Sequence, residues 1–245
     1  MNKLLQVRNQ TIPTEKIISL LANYQMLPQF LREVIVDQAI SSFTCTPDET
    51  ISACQEFYEK YQITSESERQ ELLELYKMTP EELEGLATRG IRIEKFKRAT
   101  WERKLYSYFL NRKSLLDKAI YSLIQTKDVG IANELYFRIK EGEQSFSEVA
   151  REFSQELGAE TGSLLGPIEL GKISSRLAKM LYVSRTGQLW PPTRVGEWVV
   201  IVRLEKLIPA QLDEAMSQQL LNELFERWLQ EQLAELANGG LISLN

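Results

Sequence analysis

The side chains that most enzymes use for proton transfer and nucleophilic attack are scarce in this sequence. Its 245 residues include no histidine and two cysteines, Cys45 and Cys54. Catalysis by a Ser-His-Asp or Cys-His arrangement is therefore excluded. Two cysteines without histidine make neither a zinc site nor a disulfide framework, so we expect no metal and no cofactor. We interpret both cysteines as small, buried apolar residues.

The chemistry that remains lies in the second half of the chain. Tyr121 and Trp198 fall on two predicted strands, and Glu156 stands just before the turn-rich segment 158–171. Aromatic residues on the central strands of a small sheet are usually core residues. Glu156 is either a solvated acid at a helix end or a site carboxylate.

These residues belong to a segment in which strand and helix patterns alternate. Residues 119–124 have the continuous apolar pattern of a buried strand, and residues 198–204 form a clear final strand. The capping box Ser145-Phe146-Ser147-Glu148 begins a helix, and Pro209 ends the segment. Helices are predicted at about 129–140, 146–155 and 174–182.

The first half of the chain has the pattern of a helical domain. A short strand is predicted at 3–8 and a turn at Asn9-Gln10, and apolar residues recur at helical spacing from Pro13 onward. A long helix is predicted at about 91–116. Between them lie three capping signatures of helix N-termini, Thr46-Pro47-Asp48-Glu49, Ser65-Glu66-Ser67-Glu68 and Thr79-Pro80-Glu81-Glu82.

The last predicted helix, residues 211–237, has an apolar face that is too wide for an isolated surface helix. Two neighbouring rows of apolar residues run along it. The helix must pack on another element, and the N-terminal helices are the most economical partner. We therefore predict one helical domain made of residues 1–117 and 211–245, with residues 118–210 inserted as a second domain.

Charge is segregated along the chain, whose net charge is −5. Residues 48–84 carry eleven acidic and three basic residues, and residues 89–118 carry ten basic and three acidic residues. One interpretation is two solvated helix faces that attract each other inside one bundle. The other is a basic surface for an acidic client. The acidic balance and the lack of interleaved aromatic and basic residues argue against nucleic acid as a partner.

An ordered set of glycines, turns and apolar residues over 121–206 resembles the parvulin-type prolyl isomerase domain. The helical region around Leu27-Pro28-Gln29-Phe30-Leu31-Arg32 resembles the N-terminal module of SurA-type chaperones. The parvulin resemblance is carried by Tyr121-Ser122-Leu123-Ile124, Lys140-Glu141-Gly142, Phe146-Ser147-Glu148-Val149-Ala150, Ser154-Gln155-Glu156, Gly162-Ser163-Leu164-Leu165-Gly166, Gly171-Lys172-Ile173, Leu177, Gly187-Gln188-Leu189 and Gly196-Glu197-Trp198-Val199-Val200.

The resemblance implies an α+β fold, with a mainly helical domain and a small antiparallel sheet wrapped by helices. It places Tyr121 and Trp198 where the family has two histidines, and Glu156 where it has a cysteine or aspartate. These three are the candidate catalytic residues. The resemblance implies, as the alternative to a core role, that Tyr121 and Trp198 form the floor of a peptide-binding cleft. Ile173 and Leu177 stand where methionine and phenylalanine line the family's proline pocket, and Tyr182 is a third candidate for substrate binding.

The function implied is that of a folding factor that binds extended or proline-containing polypeptide and isomerises X-Pro bonds slowly. Because both histidines are missing, we expect weak or absent turnover. One alternative is an inactive peptide-binding chaperone or an adaptor that works with a secretion system. The other is a structural interaction protein or a homodimer.

No apolar run of signal-peptide length opens the sequence, and no window reaches about 18 uninterrupted apolar residues. We therefore expect no membrane insertion and a cytoplasmic location. A periplasmic location is expected only if a leader was removed.

Overall fold

The computed structural model describes residues 4–7, 10–13, 16–153 and 164–239. The chain divides into two compact units. Residues 1–105 and 217–245 form the first, called here the helical unit, and residues 106–216 form the second, called the sheet unit. The predicted domain boundaries at 117 and 211 stay a prediction, because a compact unit need not fold by itself. Glu156 and the turn at 162–163 lie outside the described residues.

The helical unit begins with an antiparallel hairpin of β1 (Leu4–Val7) and β2 (Gln10–Pro13). The sequence predicted the first strand but placed a turn and a helix start where β2 lies. The described helices of this unit are α1 (Ile17–Asn23), α2 (Leu27–Ile40), α3 (Pro47–Lys60), α4 (Glu66–Tyr76), α5 (Pro80–Ala87), the first part of α6 (Arg89–Leu116) and most of α10 (Glu214–Gly239).

The three predicted capping boxes are confirmed. The side chains of Thr46, Ser65 and Thr79 each accept a hydrogen bond from the backbone N–H three residues on, and the glutamate there accepts one from the backbone N–H of the capping residue. Each box satisfies donors that a helix N-terminus otherwise leaves unpaired. These local contacts fix the start of α3, α4 and α5.

The core of the helical unit forms where α10 packs on α2 and α6. Phe225 and Leu229 of α10 are buried among residues of α2, and Phe96 of α6 lies against the same cluster. The indole of Trp228 stacks on the Phe225 ring at 5.8 Å between centroids. The Arg32 guanidinium of α2 forms two hydrogen bonds with the Glu226 carboxylate, at 2.6 and 2.9 Å. The wide apolar face of the last helix thus has its partner.

The sheet unit contains a four-stranded antiparallel sheet in the order β4-β3-β6-β5. Among the described residues, two helices lie between β3 and β4, and a short 3-10 turn at Leu170–Lys172 precedes a third helix. The elements are β3 (Lys118–Thr126), α7 (Val129–Lys140), α8 (Phe146–Phe153), β4 (Leu164–Glu169), α9 (Ser175–Val183), β5 (Thr193–Val195) and β6 (Trp198–Ile208).

Each face of this sheet is covered by a different set of helices. On one face, Ile124 and Ile201 are buried with Phe146 and Val149 of α8. The other face carries a cluster of buried residues that we call the Tyr121 cluster: Ala119, Tyr121, Leu170, Leu177, Ala178, Met180, Leu181, Val202 and Leu204. The predicted α+β fold is confirmed.

Cys45 and Cys54 are free and partly exposed, which corrects the expectation that both are buried. Burial nevertheless raises the pKa of the Cys54 thiol. Within the described ranges, no helix combines the length and the apolar character needed to cross a bilayer.

Candidate functional site

Tyr121 lies in the middle of β3, with Leu204 of β6 as its cross-strand partner. Its side chain is only 4% exposed. Burial away from water disfavours a phenolate, so it raises the pKa of the Tyr121 phenol above its ordinary value. At neutral pH the phenol is therefore protonated. It can donate a hydrogen bond, but it is a poor base.

Helix α9 brings the predicted proline-pocket residues to Tyr121. Leu177 is buried in the Tyr121 cluster, and Ile173, just before the helix, packs against the same cluster. The sequence determines which side of α9 is buried, because the apolar residues Leu177 and Leu181 are four apart and share one side of a helix. Three of the predicted site residues, Tyr121, Ile173 and Leu177, thus meet in one apolar cluster.

Trp190 is a part of this arrangement that the sequence reasoning missed. Its ring packs against the Tyr121 cluster. The Trp190 indole N–H donates to the Ser184 hydroxyl at 2.6 Å, and that hydroxyl donates to the Met180 carbonyl at 2.6 Å. The turn before it contains Gly187, whose φ of +79° favours glycine. That turn, followed by tryptophan and two prolines, was the available signal.

Trp198 lies elsewhere on the sheet. It is the first residue of β6, six residues before the partner of Tyr121, which places it about 20 Å further along the strand. The Lys127 ammonium sits 4.8 Å from the centroid of its ring. Lys127 also forms an ion pair with Glu197 at 3.2 Å. The structure does not bring Trp198 and Tyr121 together.

Tyr182 also points away from the cluster. Its side chain is 50% exposed and lines a groove on the outer side of α9, next to Lys179. On a helix, residue 182 lies well away from the direction shared by Leu177 and Leu181. Glu156, the predicted acid, falls outside the described residues, so its role stays a prediction.

A polar group that the sequence did not reveal joins β3 to β6 on the opposite face. The Ser122 hydroxyl donates to Glu205 Oε1 at 2.6 Å, and Arg203 Nε donates to the same oxygen at 2.8 Å. The Arg203 guanidinium lies 5.1 Å from the centroid of the Phe146 ring. This carboxylate already accepts two hydrogen bonds, so we assign it to holding the two central strands together.

The strand order, the two helices after the first strand and the apolar cluster beneath α9 define a parvulin-type domain attached to a mainly helical unit. Residues 125–206 match the rotamase family, described as the PPIC-type PPIase domain.

Comparison with solved structures extends the fold likeness to the whole chain. Peptidylprolyl isomerase (PrsA) from Bacillus cereus matches with a TM-score of 0.51 and 18% identity, over 100% of this chain and 94% of that one. PrsA from Bacillus anthracis matches with a TM-score of 0.48 and 20% identity, over 88% and 99%. A match to the SurA-like chaperones PEB4 and Cj1289 of Campylobacter jejuni has a TM-score of 0.36 and 15% identity, over 98% and 99%. A search of curated protein sequences gave no match.

Proposed function

We propose that this chain is a folding factor of the parvulin/SurA type whose parvulin-type domain binds extended or proline-containing polypeptide. The family match over residues 125–206 supports polypeptide as the ligand class. The apolar Tyr121 cluster supports a pocket for a proline ring, since Ile173 and Leu177 lie where the family's pocket residues would be. An apolar pocket with few polar groups is typical of small ligand sites.

We further propose that isomerase activity is weak or absent. Rotation about an X-Pro bond has a barrier of about 18–20 kcal/mol and needs no proton transfer. A pocket that binds the twisted amide more tightly than the planar one lowers this barrier. In other enzymes, one well-placed polar group stabilises the transition state by about 2.7–4 kcal/mol. The missing histidines remove the groups that supply this orientation in the family.

The observation that carries this proposal is the burial of Tyr121. The position where the family has its first histidine is occupied by a protonated phenol packed beneath Leu177. Trp198, at the second position, lies about 20 Å further along the sheet. This favours the alternative of an inactive, peptide-binding chaperone or secretion adaptor over an efficient isomerase.

A protease-free assay of X-Pro isomerisation, run beside a parvulin that has both histidines, tests this function. We expect turnover far below that of the reference enzyme, together with measurable binding of a proline peptide by chemical-shift changes. Peptide binding without turnover supports the inactive chaperone. If no polypeptide binds at all, the interaction protein becomes the better description.

The third alternative, a homodimer or structural partner, is tested by the mass of the chain in solution. We expect a mass that does not change between dilute and concentrated samples when no client is present. The predicted domain of residues 1–117 with 211–245 and the cytoplasmic location both remain predictions.

A further inference from the structure

A concave surface lies within the sheet unit along the exposed side of α9, and it borders the Tyr121 cluster at Leu170 and Ala178. It is a groove of about 300 Å³, within the size range of small ligand sites. Its wall is one stripe of α9, and the end of α6 supplies Leu115 opposite. We call it the outer groove, and its main lining residues are Leu115, Leu170, Ser175, Ala178, Lys179 and Tyr182.

The outer groove keeps apolar side chains in contact with solvent. Tyr182 is 50% exposed, Val183 67% and Leu115 48%. Leu177 and Leu181, on the other side of the same helix, are almost completely buried. Helix α9 therefore has two apolar faces, of which the sheet covers one.

Close packing fixes the floor of the groove. A Cβ atom on Gly171 would lie 3.2 Å from the Leu115 carbonyl oxygen, so a side chain there would push the end of α6 away. The Leu170 amide donates to the Asp117 carbonyl at 2.9 Å. The two walls are thus held in place by the backbone itself.

The two charged residues of α9, Arg176 and Lys179, are basic, although the chain as a whole is acidic. Residues 170–196 contain five basic residues and no acidic one, against a net charge of −5 for the chain. Arg176, Lys179 and Val183 lie in one row along α9, since they are three and four residues apart. Arg176 and Lys179 are exposed and form no ion pair with the described part of the chain.

From this combination we infer that the outer groove binds a polypeptide segment in which apolar residues alternate with acidic ones. The stripe from Ser175 to Val183 is about 12 Å long, which matches about four residues of extended chain. Apolar side chains would cover Leu115, Tyr182 and Val183. Carboxylates would pair with Lys179 and Arg176 at the rim.

A peptide fits this surface better than an anionic lipid bilayer does. The groove is concave, whereas a bilayer requires a flat or convex contact. Sequence patterns that bind anionic lipids usually have clusters of about four to eight basic residues, and this rim has two. The groove shares Leu170 and Ala178 with the Tyr121 cluster, but Leu115, Lys179 and Tyr182 lie outside that cluster. The inference therefore adds to the proposed function without requiring it.

The probe is a fluorescein-labelled octapeptide in which leucine alternates with glutamate, titrated by anisotropy against the full chain. Matched octapeptides carry glutamine or lysine in place of glutamate. We expect the glutamate peptide to bind most tightly and the lysine peptide to show no binding. Lys179→Glu should lower the affinity for the glutamate peptide about tenfold, and added salt should lower the affinity of the wild type. Leu115→Gln should lower the affinity for the glutamate and the glutamine peptides by the same factor.

Arg194→Glu, on β5 of the same unit, is the control for a simple change in net charge and should leave binding unaltered. Thermal melts of each variant establish that it is folded. Equal binding of the glutamate and lysine peptides would overturn the inference, as would a Lys179→Glu variant that binds normally. Tighter binding to phosphatidylserine vesicles than to the peptide, or self-association lost in Lys179→Glu, would identify a different occupant and also overturn it.

Failure of this inference can be distinguished from failure of the proposed function. A short proline peptide without acidic residues should bind wild type and Lys179→Glu equally. If the proline peptide does not bind but the glutamate peptide does, the result supports the inference about the outer groove and contradicts the proposed proline pocket.

Discussion

The Asp117 carboxylate accepts a hydrogen bond from the backbone amide of Ala210 at 2.8 Å. These residues are 93 positions apart, and they lie where the chain enters and leaves the strands of the sheet unit. The same carboxylate forms an ion pair with Lys113 at 3.1 Å, and its side chain is 8% exposed. One buried acid therefore ties together both ends of the sheet segment.

Replacing this acid should lower stability. Asp117→Ala leaves the half-buried Ala210 amide without this partner, which costs about 1–3 kcal/mol of folding stability. Urea denaturation of the sheet unit measures the change. Asp117→Asn is the matched control, because its amide oxygen can still accept the bond and the loss should be smaller. Equal stability of the alanine variant and the wild type would show that the bond is unimportant.

Removing residues 211–245 should destabilise the helical unit and leave residues 118–210 folded. The reason is that Phe225 and Leu229 are buried in the core of the helical unit. A milder test is Leu229→Ala, which should lower the free energy of unfolding by about 2–5 kcal/mol. Leu110→Ala, at an exposed site, is the control and should change it little. Circular dichroism follows the helix content of the whole chain, and residue-resolved amide spectra report the two units separately. A truncated chain that keeps its full helical melting transition contradicts the predicted domains.

Installing the two missing histidines should not restore isomerase activity. Tyr121→His combined with Trp198→His exchanges aromatic contacts for smaller polar rings, at a cost of a few kcal/mol at the buried site. The structure adds that the two positions are about 20 Å apart along the sheet, too far for the rings to act together. The measurement is X-Pro isomerisation by the double variant. Turnover by the wild type equal to that of a histidine-bearing parvulin would refute this prediction.

Leu177→Glu should abolish binding of a short proline peptide, because it puts a carboxylate into the Tyr121 cluster. Binding of an unfolded protein client should be only weakened, since such a client can contact further apolar surface. Phe137→Glu, at an exposed apolar residue of α7, is the control for added charge. Because a buried charge can unfold the domain, Leu177→Ala is measured as well and should weaken the peptide without unfolding. Chemical-shift changes confined to residues 91–116 would instead place the peptide away from the sheet.

Acid should weaken the contact between α2 and α10. The hydrogen bond from Arg32 holds the pKa of the Glu226 carboxyl below its ordinary value. A lowered folded-state pKa stabilises the folded chain above the ordinary glutamate pKa of about 4.3, and this stabilisation is lost as the pH falls through the lowered value. Glu226→Gln should therefore flatten the decline in melting temperature on acidification. Glu59→Gln, outside this pair, should leave the decline as it is.

Local features of this fold could be read from the sequence, and longer-range ones could not. The capping boxes at Thr46, Ser65 and Thr79 depend on residues three apart, so the pattern alone defines them. The cluster of Tyr121 with Leu177 followed from the family pattern. The placement of Trp198 depends on strand register, which includes an irregularity near Ile120 in the pairing of β3 with β6. The direction of Tyr182 depends on which side of α9 the sheet covers, and Trp190 on a turn that no helix or strand pattern marks.

The buried ammonium of Lys97 links α6 to α10, two helices that are synthesised far apart in time. Lys97 donates to Glu94 and to Asn222 of α10, both at 2.6 Å, and lies 5.1 Å from the centroid of the Phe225 ring. The ribosome adds about 5–20 residues each second, and domains usually fold as they emerge. The N-terminal helices emerge early, but Lys97 lacks its contacts with Asn222 and the Phe225 ring until α10 has been synthesised. We therefore expect the helical unit to become native only after α10 has been synthesised.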